Sequence, residues 1–150
     1  MRIVLDTNIL VRANPLASPS GLARELLLRI VSSDEHTLLL SSAILIEVTR
    51  VLTYPHVRQR WSLTEREILE YVSALEMVSI CIEIPALSPS VVLDDPDDDP
   101  ILQTAIVGRA DVLCTRDAAF SHRVVREVSS EYGFRILSDV ELINELRGSP

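Results

Sequence analysis

The chain has no lysine: all 14 of its basic residues are arginine. That absence excludes machinery built on an ammonium group, including the P-loop lysine, the kinase strand lysine, a Schiff-base lysine and the lysine of phosphoryl-aspartate receivers. Aromatic residues are scarce, with one Trp, three Tyr and two Phe, too few for an extensive base-stacking platform. Only two cysteines occur, Cys81 and Cys114. They lie in separate apolar runs without C-x-x-C spacing, so both are expected to be buried reduced thiols. His36, His56 and His122 have no mutual spacing that suggests a metal site and are expected to be solvated or packing residues. No apolar run approaches the ~18 residues of a membrane span, and the apolar stretch after Arg2 is too short for a signal peptide. The expectation is a cytoplasmic protein with no membrane partner.

What is present fits one domain over residues 1–150: 47% apolar residues, four Gly and eight Pro, without a repeat or a low-complexity linker. A net charge of -8 argues against broad duplex binding, which depends on neutralising many phosphates. Local arginines can still hold a phosphate bidentately.

The first apolar run, Ile3-Val4-Leu5, does not alternate and stops at Asp6-Thr7-Asn8. Such a run fits a strand covered on both faces, as in the middle of a parallel sheet, with Asp6 at its carboxyl end. A loop follows, and Ser18 as N-cap with Pro19 at the first helical position opens a helix through Leu22, Leu26, Leu27 and Ile30. Thr37 to Leu40 predicts a second strand. Ser41 or Ser42 caps a helix with the stripe Ile44, Leu45, Val48, Val51 and Leu52, ended by Pro55. Glu47 falls at the rim of that stripe, in the second turn after a strand.

Thr64 and Glu67 form a capping box, with Leu63 and Ile68 as its hydrophobic staple, for a helix reaching about Met77. Val78, Ile80, Ile82 and Ile84 alternate with Ser79, Cys81 and Glu83, the pattern of a strand with one drier face, stopped by Pro85. Ala86 to Val92 reads as loop. In Asp94-Asp95-Pro96-Asp97-Asp98-Asp99-Pro100, Asp99 suits an N-cap and Pro100 the first helical position. Asp111 to Thr115 predicts a fourth strand delivering Arg116-Asp117. A helix around His122 to Glu131 stops at Gly133, Phe134 to Leu137 forms a last strand, and Ser138 with Glu141 opens a C-terminal helix. The expected fold class is α/β, a three-layer α/β/α sandwich around a mainly parallel sheet of about five strands, with a helical hairpin inserted after the second.

Parallel sheets bind ligands beyond the carboxyl ends of their strands, and Asp6, Glu47, Asp98 and Asp117 all map to that edge. Two carboxylates ~4–5 Å apart repel by roughly 3–4 kcal/mol at an effective dielectric near 20, so four around one pocket need a compensating charge. Oxygen-only donors favour Mg2+ or Mn2+ over zinc. Such a site fits metal-dependent hydrolysis of a phosphodiester.

Val4-Leu5-Asp6-Thr7-Asn8, Ser41-Ser42 leading to Glu47, Asp95-Pro96-Asp97-Asp98-Asp99 before Ile101-Leu102, and Ala110-Asp111 through Thr115-Arg116-Asp117 resemble the successive motifs of the PIN domain, in the branch of VapC-like toxins of toxin–antitoxin pairs. The resemblance covers nearly the whole chain. It implies a Mg2+- or Mn2+-dependent endoribonuclease that acts on RNA, forms a homodimer and is held inactive by a cognate antitoxin. It also implies that Asp6, Glu47, Asp98 and Asp117 form the acidic pocket, supported by Asn8 and Thr115.

This chain departs from the pattern twice. Asp99 stands where the family often has Asn, leaving open whether Asp98 or Asp99 is the principal ligand, with Asp98 favoured. Arg116 stands where a small residue is frequent, and is read either as a plain surface arginine or as a phosphate contact. Arg12, Arg50 and Arg116 are the basic residues nearest the expected edge and the candidates for gripping substrate. The acidic site does not itself distinguish RNA from DNA. The alternative is a catalytically silent module whose acidic pocket receives a basic partner segment. A phosphatase of the haloacid dehalogenase type fits poorly, because it wants an aspartate where Asn8 stands and a lysine this chain does not have.

Overall fold

In a computed structural model, residues 1–17, 21–85 and 99–148 are described. Five strands, β1 (Arg2–Leu5), β2 (Thr37–Leu40), β3 (Ser79–Cys81), β4 (Val112–Cys114) and β5 (Arg135–Leu137), form one sheet in the order β3-β2-β1-β4-β5. Every pairing is parallel. Helices flank the sheet to give the expected α/β/α sandwich. β1 lies at the centre because its side chains can be covered on both faces: Ile3, Val4 and Leu5 are all 0% exposed.

The order of the strands carries the functional consequence. From β1 the chain steps to β2 and then to β3, returns past both to β4 on the other side, and continues outward to β5. Right-handed crossovers in opposite directions send their helices to opposite faces of the sheet, so a crevice opens between the carboxyl ends of β1 and β4. Register places Leu5 opposite Cys114, which sets the next residues, Asp6 and Thr115, side by side.

The connecting helices are α1 (Thr7–Arg12) and α2 (Leu22–Val31) after β1, then α3 (Ser42–Thr53), α4 (Pro55–Trp61) and α5 (Glu65–Val78) after β2. α6 (Asp99–Val107) precedes β4, α7 (Arg123–Tyr132) precedes β5, and α8 (Asp139–Gly148) ends the described chain. Ser41 caps α3 by accepting from the Ile44 amide, and Thr64 and Glu67 close their capping box. Ser138 and Glu141 do the same at the start of α8. Gly133 ends α7 with φ of 75°, a left-handed turn that suits a residue without Cβ.

Several expectations are corrected. The segment after β1 is not a loop: Asp6 takes the N-cap position and α1 starts at once, a helix of six residues being too short to show a helical period. α2 begins at Leu22 with Gly21 as its N-cap, while Ser18 and Pro19 lie outside the described residues, as do the expected loop 86–92 and the run 94–98. Pro55 does end α3, with Tyr54 extended before it, but it also occupies the first turn of α4, which the periodicity did not predict. β3 is only three residues long and is an edge strand. With no strand beyond it among the described residues, Ile80 stays 47% exposed and the expected dry face is incomplete. For the same reason Cys81 is exposed rather than buried, whereas Cys114 on β4 is buried. No helix among the described residues is long and apolar enough to cross a membrane.

Candidate functional site

Asp6, the residue after β1, is buried, 2% exposed. Its amide donates to the Cys114 carbonyl at 2.9 Å, which continues the β1–β4 ladder by one step. Across that step the Thr115 hydroxyl donates to Asp6 Oδ2 at 2.6 Å. The same hydroxyl oxygen accepts from the Asp117 amide at 3.0 Å. One threonine therefore ties the first and fourth strand ends together and fixes both aspartates. Asp117 is held further by its own Oδ1, which accepts from the Ala119 amide at 2.9 Å and caps the 3-10 turn Ala118–Ser121.

Burial raises the Asp6 carboxyl above its ordinary value. The Thr115 hydrogen bond opposes that rise, the Asp117 charge adds to it, and the Thr7 and Asn8 amides oppose it. The negative charge of Asp117 thus disfavours ionisation of Asp6. Thr7 Oγ1, on the residue after Asp6, is buried without a hydrogen-bond partner among the described residues. Asp6 and Asp117 thus present oxygen donors only, the donor type that hard divalent cations take.

The remaining expected ligands are placed differently. Glu47 lies half-buried on α3, where Arg50 Nη2 reaches its Oε2 at 2.5 Å. Like Asp6, it lines neither of the clefts that border Asp117 among the described residues. Asp98 is outside the described residues, and Asp99 begins α6. The start of α6 is anchored toward the carboxyl end of β2, because Thr104 Oγ1 lies 2.9 Å from Ser41 Oγ and 2.6 Å from the Pro100 carbonyl oxygen. Among the described residues, no group of three or more acidic, histidine or cysteine side chains is arranged to hold a metal.

Among the described residues, two clefts meet at Asp117. One, of about 500 Å³, is lined by Asn8 and Arg12 from α1, by His56, Arg60 and Trp61 from α4, and by Arg116 and Asp117. The other, of about 700 Å³, runs from Thr115 and Asp117 along Phe120, Phe134 and Leu137. Arg12 and Arg116, expected near substrate, line the first cleft, whereas Arg50 is engaged with Glu47 outside it. Arg116 also pairs with Asp139, with Nε 3.1 Å from Oδ1. His56, Arg60 and Trp61 were not anticipated at this site. The available signal was Pro55, which is as well suited to starting a helix as to ending one.

No curated protein and no solved structure matches this chain. The profile of the PIN domain family matches residues 2–119, a span that includes β1 with Asp6, β4 with Thr115, and Asp117. The PIN domain is a nuclease-type fold and generally works with divalent metals. The parallel sheet, the crevice at its reversal point and this match agree, and the chain belongs to the PIN domain family.

Proposed function

We propose that this protein is a Mg2+- or Mn2+-dependent endoribonuclease, the VapC-like toxin of a toxin–antitoxin pair, acting in the cytoplasm as a homodimer that a cognate antitoxin silences. Its principal support is the pairing of buried Asp6 with Asp117 through the Thr115 hydroxyl at the crevice between β1 and β4. Two aspartates held there by one threonine are costly to ionise together, and a divalent cation removes that cost.

Asp6 and Asp117 would hold the ion, with Asp98 or Asp99 and Glu47 as the further carboxylates that the family pattern names. When bound, such an ion supplies acidity to an attacking water and positive charge against the phosphate. The chain's own residues do the rest. Thr115 orients Asp6 by donating to Oδ2, the Ala119 amide orients Asp117, and Asn8 stands at the cleft wall beside it as a polar contact for substrate. Purified protein with Mn2+ is expected to cut single-stranded RNA. Asp6→Asn, which keeps shape and removes charge, is expected to abolish cutting while the fold persists; full activity in that variant would refute the proposal.

A second reading has one observation in its favour. Glu47, one of the expected ligands, is instead paired with Arg50, as in a silent module whose pocket receives a basic segment. Calorimetry separates the two. Binding of an arginine-rich peptide with no uptake of Mg2+ or Mn2+ would favour the module.

A further inference from the structure

In this acidic chain many arginines are already matched to carboxylates, as in Arg29–Glu25, Arg66–Glu70, Arg123–Glu127 and Arg135–Glu145. Arg12 and Arg60 have no acidic partner among the described residues, and both line the 500 Å³ cleft that ends at Asn8 and Asp117. Arg116 completes its wall. Two of these guanidinium groups are held in place by neighbours. Arg60 lies 5.3 Å from the ring centroid of Trp61, a cation–π contact. Arg116 is anchored by Asp139, which is 3% exposed, while the arginine side chain stays 51% exposed toward solvent. A buried carboxylate fixing an exposed guanidinium at a cleft wall sets a cation in a defined direction, which a freely rotating surface arginine would not do.

We propose that this cleft seats the single-stranded RNA flanking the scissile phosphate, with Arg12, Arg60 and Arg116 gripping its phosphates and Asp139 as the positioning residue for Arg116. The assignment rests on the ribonuclease reading above. RNA is favoured over an acidic protein segment because the cleft opens onto Asp117. A nucleic-acid backbone lying in it delivers a phosphodiester, the bond the proposed reaction cuts, to the candidate metal site, whereas a peptide carboxylate brings the same negative charge with no such bond. The grip is on the backbone and therefore carries salt dependence rather than base sequence.

The test is fluorescence anisotropy of a labelled 2'-O-methyl RNA 12-mer in EDTA across a salt series, alongside steady-state cutting with Mn2+. Arg12→Ala, Arg60→Ala and Arg116→Ala are each expected to weaken binding several-fold and to reduce the salt slope by about 0.7. In the cutting assay KM rises while kcat holds. Asp139→Asn is expected to lower the slope as Arg116→Ala does, and the double variant to be no worse than Arg116→Ala alone, which a merely structural role for Asp139 would not produce. Should Asp139→Asn fail to fold, Asp139→Glu keeps the charge and is expected to show an intermediate slope. Arg66→Ala, on the exposed face of α5, is the unchanged control. Affinity and slope equal to wild type in all three arginine variants would overturn the assignment, as would preference of the wild type for an oligoglutamate peptide over the RNA. Wild-type protein that binds RNA in this pattern but never cuts it would remove the ribonuclease reading and leave the cleft as an RNA seat.

Discussion

At Asp6, the residue proposed to hold the metal, burial and charge meet in a single side chain. Its carboxyl is raised above the ordinary 3.8 by burial first, so the folded state holds the proton more tightly than the unfolded chain. In the absence of metal, its contribution to stability is most favourable below the unfolded value and declines as pH rises through the folded one. Urea melts of metal-free protein should therefore show Asp6→Asn more stable than wild type at pH 7.5, with the gap closing toward pH 4. A gap independent of pH would show that Asp6 is not the titrating group. Thr115→Val removes the hydroxyl that serves both aspartates and is expected to lower Mn2+ affinity or activity by roughly 10–100-fold, the usual cost of losing an outer-shell partner. The two cysteines behave oppositely. Cys114 is pushed up by burial and then by the charges of Asp139, Asp6 and Glu141, whereas Cys81 is exposed. A thiol reagent should titrate one cysteine in the native protein and two after unfolding; two at once in native protein would contradict the burial of β4.

At the scale of elements, the site depends on how closely α6 approaches the sheet. Gly108, just after α6, leaves no room for a side chain: an added Cβ would meet the Thr104 carbonyl oxygen at 2.6 Å and Leu39 Cδ1 at 3.0 Å. Gly108→Ala is expected to destabilise the protein by about 1–3 kcal/mol, read as a lower urea midpoint with unchanged m-value. A neutral result would mean that α6 can lift from β2. Elements with a strong local signal were legible in the sequence. β1 and β2 are non-alternating apolar runs, Ser41 and Thr64 carry the capping side chains of α3 and α5, and Gly133 ends α7. α1 and α4 were not legible. Each has fewer than two full turns, and neither shows an apolar stripe long enough to reveal a period. β3 was legible as a strand but not as an edge, because alternation reports which residues could be buried and not whether a neighbour exists to bury them.

At the scale of the whole molecule, binding of the proposed ion would be linked to folding, because the aspartates meet only in the assembled sheet. Mn2+ at a hundred times its dissociation constant should add about 2.7 kcal/mol to stability, seen as a rise in Tm that Asp6→Asn and Asp117→Asn abolish. An equal rise in Asp6→Asn would move the ion elsewhere on the surface. The sequence by itself determined the α/β class and placed Asp6, Thr115 and Asp117 at the ends of their strands, because strand patterns and cap residues are local and each segment carries its own. Only the tertiary structure decided which strand ends are neighbours. The order β3-β2-β1-β4-β5 sets Asp6 against Thr115 and leaves Glu47 on α3 with Arg50 as its partner, while packing turns α4 with Arg60 and Trp61 toward the cleft that Asp117 borders. Those outcomes depend on crossover direction and packing between segments far apart in the chain, which no local pattern of residues encodes.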